Sequence, residues 1–176
     1  MTPRRRNALI FAGVATAAAG AGYFAGPGFL DRRDDGPSAL HATVFADLEG
    51  KPRKLAEWQG KILILNFWAS WCAPCLEEIP ILIAVRSAYA HLGVEIVGIA
   101  IDVPAKIVEF SKRLTITYPI LVADTGGLEL MRLLGNAAAA LPYTVFLDRE
   151  SKPVKRKLGA LKRPEVEAVL SGMLKK

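Results

Sequence analysis

Cysteine and histidine are almost missing from this chain of 176 residues: two of each, Cys72, Cys75, His41 and His91. Two thiols cannot build the disulfide framework that holds small secreted scaffolds together. A four-ligand zinc site would need nearly every candidate at once, so a structural metal core is excluded as well. Aromatic residues are also sparse at 8%. The basic stretch from Lys152 to Arg163 contains none, whereas single-strand nucleic-acid surfaces interleave positive charge with exposed rings. No nucleic-acid partner is expected. Disorder is excluded in turn, because 52% of the residues are hydrophobic and only 23% charged.

The net charge of +6 is unevenly placed. Residues 1–36 hold five basic and three acidic groups, residues 37–148 hold nine and eleven, and residues 149–176 hold nine and three. Basicity is therefore terminal. At the front, Arg4, Arg5 and Arg6 precede an uncharged run over residues 7–30, closed by Asp31, Arg32, Arg33, Asp34 and Asp35. As a helix that run would extend roughly 36 Å, enough for a bilayer core of about 30 Å. Two readings compete: a secretory signal cut near Ala17 to Ala21, or an uncleaved anchor over residues 8–29 with Tyr23 and Phe24 at the far interface. The length favours the anchor, since signal cores run to about 7 to 15 residues. Either way the arginines stay inside and the rest is exported. The organisation expected is an anchor or signal over 1–30, a linker over 31–39 and one domain over 40–176.

Within that domain, short strands at 43–46 and 53–55 flank an Asp47-Leu48-Glu49-Gly50 turn. The continuous apolar run at 61–68 reads as a strand buried on both faces, at the centre of a sheet. A helix is expected over 74–89, a second buried strand over 94–101, a helix over 104–114 and a strand over 120–122. A helix over 128–134, a hairpin of strands 144–147 and 154–158, and a closing helix over 164–174 complete the pattern. Alternating strands and helices that finish in a hairpin imply an α/β fold with a mixed sheet.

The two cysteines lie together, as Cys72-Ala73-Pro74-Cys75, directly after the buried strand and at the start of a helix. Unpaired N–H groups and the helix dipole favour an anion there, which lowers the pKa of Cys72 and makes it the nucleophile. Cys75, one turn on, can resolve the mixed disulfide that Cys72 forms. A structural bridge across so short a loop would remove little unfolded-state entropy. Half a metal site would lack its second Cys or His pair. A redox pair fits the setting better than either. Glu77 reads as a solvated first-turn residue, and Glu78 as a carboxyl whose partial burial would raise its pKa and let it trade protons with the thiols. Trp71 is expected at the surface beside Cys72, with Trp58 and Trp68 in the packing. From the residues alone, Pro142 reads equally well as an ordinary trans-proline in a loop.

The segment Asn66-Phe-Trp-Ala-Ser-Trp-Cys-Ala-Pro-Cys75, with Glu77-Glu78-Ile79-Pro80 after it and Leu141-Pro142-Tyr143-Thr144 much later, resembles the membrane-tethered thioredoxin-like proteins of the TlpA, ResA and CcmG type. The resemblance spans residues 40–175. It implies a thioredoxin fold with an N-terminal β-hairpin extension and a central helix-strand insertion, the mixed sheet flanked by helices. It also implies a monomeric, exported thiol-disulfide oxidoreductase in the bacterial periplasm, with no cofactor beyond the redox-active Cys72–Cys75 disulfide and no metal. Its substrates would be periplasmic proteins with disulfides, of the cytochrome c maturation or copper-site assembly kind, and a membrane electron donor would recharge it. Carried over by position, Leu141-Pro142 matches the family's cis-proline step, which together with Trp71 and Pro74 would bind substrate. Tyr143 stands where the family has Thr. Asn66 stands where cytosolic thioredoxins hold a buried Asp, and an Asn cannot titrate. The rivals are a thiol oxidase of the same fold and a non-catalytic copper-binding module.

Overall fold

The computed structural model describes residues 36–175, with side chains from residue 39 onward. The anchor or signal expected over residues 8–29, and the charged stretch 31–35, lie outside the described residues. Among those described, no helix is long and apolar enough to cross a membrane. Helix α1 (Gly36–Ala42) comes first, so the segment read as linker through residue 39 is already helical at Gly36. Leu40 gives the physical reason: it is fully buried in the core and ties the helix to the domain.

Strands β1 (Val44–Asp47) and β2 (Pro52–Lys54) form the leading hairpin. Its turn is closed by Asp47, whose Oδ1 accepts the N–H of Glu49 and of Lys51. Asp148 closes the second hairpin in the same way, accepting from Glu150 and Lys152, which is why the two Asp-led turns stand out in the sequence. A 3-10 turn (Leu55–Trp58) leads to β3 (Ile62–Trp68). Helix α2 (Ala73–Tyr89), β4 (Val94–Ala100), α3 (Pro104–Arg113), β5 (Ile120–Val122) and α4 (Thr125–Leu133) follow in alternation. Strands β6 (Tyr143–Leu147) and β7 (Pro153–Leu158) and helix α5 (Arg163–Leu174) finish the chain.

The seven strands make one mixed sheet in the order β2-β1-β5-β4-β3-β6-β7. β3, β4 and β5 run parallel, and the two terminal hairpins add antiparallel strands at either side. The middle strand is β4 rather than β3, because the leading hairpin docks on β5 and lengthens that side. All seven residues of β3 and of β4 are buried, as an apolar run covered on both faces requires. The strand period of two divides β3 between two cores. Ile62, Ile64 and Trp68 join α2, α3 and α5 on one face, while Leu63, Leu65 and Phe67 join α1, the 3-10 turn and α4 on the other. Asn66 falls on the first face by the same alternation, and there it meets α2.

One glycine fixes how closely that face packs. A Cβ on Gly98 would stand 3.0 Å from Trp68 Nε1 and 3.1 Å from Tyr118 Cε2, both in buried rings with little room to move. Gly98→Ala is therefore expected to destabilise the domain by about 1 to 3 kcal/mol, the usual range for overpacking. Urea denaturation of the full chain checks this, and an unchanged or higher midpoint would show that the rings yield.

Candidate active site

The site is assembled at the end of β3. Trp68 O accepts the Ile101 N–H at 2.9 Å, tying the strand end to the loop after β4. Ser70 then gives both its main-chain N–H and its hydroxyl to the Asp102 carboxylate, which also accepts the Val103 N–H at 2.7 Å. Asp102 thereby fixes the turn that delivers Trp71 and Cys72. Nothing in the sequence pattern singled it out, since its role depends on two loops that are far apart in the chain.

Cys72 is the N-cap of α2, with extended backbone, and its carbonyl accepts the Cys75 and Leu76 N–H groups. Pro74 in the first turn costs no hydrogen bond there, because that N–H would be unpaired anyway. No acidic residue occupies the first turn, so the positive end of the helix dipole is left for sulfur. Cys72 and Cys75 are joined in a disulfide, with Cα atoms 5.3 Å apart. Cys72 is 6% exposed and Cys75 fully buried. Trp71 is 71% exposed, at the surface as expected, and Trp58 and Trp68 are buried.

The Leu141–Pro142 peptide bond is cis, at the same end of the sheet: Tyr143, the first residue of β6, pairs with Phe67, one residue before the end of β3. Pro142 O accepts the Gly159 N–H at 2.9 Å. The residues before it gain a physical account from Asn136. Its side chain donates to Ala140 O at 2.8 Å and accepts Ala140 N–H at 3.3 Å, bracketing the alanine run 137–140. Small side chains suit so tight a loop, in which Ala139 adopts a positive φ. Tyr143 does not face the disulfide surface. It is buried in the second core beside Phe67, and its hydroxyl donates to Leu134 O at 2.6 Å.

Glu78 is 1% exposed, a deeper burial than the partial one expected. Its Oε1 accepts from Asn66 Nδ2 at 2.6 Å, and its Oε2 from the Leu161 N–H at 2.7 Å. Asn66 Nδ2 also donates to Thr144 Oγ1 at 3.0 Å, so β3 and the segment before α5 meet the buried carboxyl of α2 directly, and β6 joins them through Asn66. Burial pushes the Glu78 pKa up, and the Leu161 and Asn66 bonds and the nearby Lys157 charge offset this only in part. Thr144 was not foreseen. Strand alternation from Phe146, which faces the same core, would have placed it there.

Among the described residues no three His, Cys, Asp or Glu side chains gather as a metal-holding group. His41 Nε2 lies 2.7 Å from Ser151 Oγ, joining α1 to the turn before β7.

Comparison with known proteins agrees with this geometry. The Redoxin family profile matches residues 35–170. The thiol-disulfide oxidoreductase ResA of Geobacillus thermodenitrificans is 30% identical over 131 residues, covering 74% of this chain and 73% of the relative. Among solved structures, a thiol:disulfide interchange protein of the thioredoxin family from Chlorobium tepidum superposes with a TM-score of 0.66 at 26% identity, over 75% of this chain and 92% of that one. A DsbF homologue from Corynebacterium diphtheriae gives a TM-score of 0.66 at 27% identity, over 74% and 83%. A profile match over most of the chain and a relative at this identity and coverage show the family: the chain belongs to the Redoxin family, as a thioredoxin-fold thiol-disulfide oxidoreductase of the TlpA, ResA and CcmG type.

Proposed function

We propose that this protein is an exported reductant of protein disulfides, working in the bacterial periplasm from a membrane tether formed by residues 8–29. The observation that carries the reading is the placement of the pair: Cys72 at a helix N-cap, Cys75 fully buried behind it, and the buried Glu78 one turn further on. In the reduced protein the Cys72 thiolate attacks a substrate disulfide. A bond forms between Cys72 sulfur and one substrate sulfur, and the other substrate sulfur leaves as a thiolate. Cys75 then gives its proton to Glu78 and attacks Cys72; the Cys72–Cys75 bond forms and reduced substrate departs. Trp71, Pro74 and the Leu141–Pro142 step supply the surface against which an extended substrate segment lies. No cofactor enters this cycle, and a membrane electron donor restores the dithiol. The substrates are periplasmic proteins of the cytochrome c maturation or copper-site assembly kind, met one at a time by a monomer.

Direction follows from charge. An ionised Glu78 near the pair disfavours thiolate at Cys75, which stabilises the disulfide relative to the dithiol and draws the reduction potential down. Equilibration of the full chain with glutathione buffers measures that potential. A value near or below the roughly −270 mV of a strong thiol reductant is expected, and one near −120 mV would make the protein an oxidase instead. Stoichiometric copper binding by the reduced chain without disulfide exchange would replace both readings with a binding module.

A further inference from the structure

Glu78 is surrounded by donors. Oε1 faces Asn66 Nδ2 and Oε2 faces the Leu161 N–H, which suits a carboxylate, an acceptor at both oxygens. Each carboxyl oxygen has a second lone pair, but a proton on the one that faces Asn66 or Leu161 would point at a donor. A second arrangement of the same groups would let the acid bond to Asn66 from that position. The means lies in Asn66, which is fully buried and whose Oδ1 has no protein partner. An Asn amide keeps nearly the same shape after a half-turn about its last side-chain bond, with donor and acceptor exchanged. After such a turn Oδ1 occupies the present place of Nδ2, 2.6 Å from Glu78 Oε1 and 3.0 Å from Thr144 Oγ1. Both separations suit an O–H donor, one from the acid and one from the hydroxyl.

We propose that Asn66 is a positioning residue whose amide turns over with the charge of Glu78, donating to the carboxylate and accepting from the acid. The inference rests on the reading of Glu78 as the group that takes the Cys75 proton. During release of substrate the Cys75 S–H bond breaks and its proton binds Oε1. The Asn66 amide turns, and its Oδ1 receives the new O–H together with the Thr144 hydroxyl. Each charge state keeps two hydrogen bonds on the side of Glu78 and Thr144, and the other end of the amide lies where Oδ1 now has no partner. The titratable and charged groups facing Glu78 are the cysteine pair at the start of its own helix, Lys157 on β7, which favours the anion, and Tyr118 before β5, whose ionisation the Glu78 charge opposes. Tyr118 is buried and stays neutral through the working range.

The test follows the Asn66 side-chain amide in 15N-edited NMR spectra of the full, oxidised chain in detergent while the Glu78 carboxyl carbon is titrated. The amide proton bonded to the carboxylate is expected to lose its downfield shift at the same midpoint as that carbon. In Glu78→Gln, where the new amide N–H must donate to Oδ1, the Asn66 signal is expected at its acid position at every pH. Amide signals that stay fixed while the Glu78 carbon titrates would overturn the proposal. A second readout is kinetic: Asn66→Leu should slow substrate release about tenfold and displace its pH profile, the effect of losing a hydrogen bond to a charged group. An unchanged profile in Asn66→Leu counts against the proposal too. An unchanged kinetic profile in Glu78→Gln, with the Asn66 amide of the parent chain still tracking the Glu78 titration, would instead remove the role of Glu78 in proton exchange and leave the turning amide in place.

Discussion

A Cys75→Ala chain, reduced and mixed with a disulfide-bearing protein, is expected to accumulate a covalent adduct through Cys72 and to stop there. The geometry dictates the order of events. Cys72 is the more accessible sulfur and sits at the N-cap, where the positive end of the helix dipole favours a thiolate. Cys75 lies wholly inside, within the same helical turn, where an incoming protein cannot reach it but Cys72 can. Removing Cys75 leaves the first exchange intact and abolishes the second, so turnover should fall to the uncatalysed rate while the mixed disulfide persists. Non-reducing gels with and without dithiothreitol check it, and Cys72→Ala in the same chain should remove the adduct. Adducts that survive without Cys72, or full turnover without Cys75, would reverse the assigned roles.

What could be read from the chain beforehand follows from where the information is stored. The strand at residues 62–68 and the pair after it were legible because a continuous apolar run and a helix start are local patterns, written in consecutive residues. The depth of Glu78 was only half legible. Its place one turn past Cys75 comes from helix periodicity, but its complete burial depends on Leu161, 83 positions away, closing over it. Thr144 and Asp102 were missed for the same reason: each acquires meaning from a partner in a distant segment, Asn66 for one and Ser70 for the other. Tyr143 shows the opposite failure. It departs from the residue that the resemblance leads one to expect beside the cis-proline, yet strand alternation turns it into the far core, where it bonds Leu134 O. A departure in the motif was thus a packing choice, not a change in the exposed surface. The middle of the sheet shifted from β3 to β4 because hairpin docking is decided by edge pairing, which no local pattern records.

The same buried carboxyl should make both stability and rate depend on pH, with signs fixed by its environment. Burial raises the folded-state pKa of Glu78 above its ordinary value. The folded chain then binds a proton that the unfolded chain releases, so the stabilisation is fully present below the ordinary carboxylate range and is lost as pH rises through the raised folded value. Urea midpoints of the oxidised chain are expected to decline across that window. In Glu78→Gln the decline should vanish, since an amide does not titrate and can still accept the Leu161 N–H while donating to Asn66. At neutral pH the variant should be at least as stable as the parent, because a buried charge has been replaced by a neutral group with the same bonds. Its catalysis should move the other way. With no carboxylate to take the Cys75 proton, release of reduced substrate should slow about a hundredfold, the lower end of what a positioned proton acceptor supplies. Rapid mixing of the reduced variant with a substrate disulfide would show the mixed disulfide forming at the parental rate and decaying slowly. Parallel urea curves for variant and parent, together with unchanged decay, would show that Glu78 stays ionised throughout and only props the segment before α5 against the sheet.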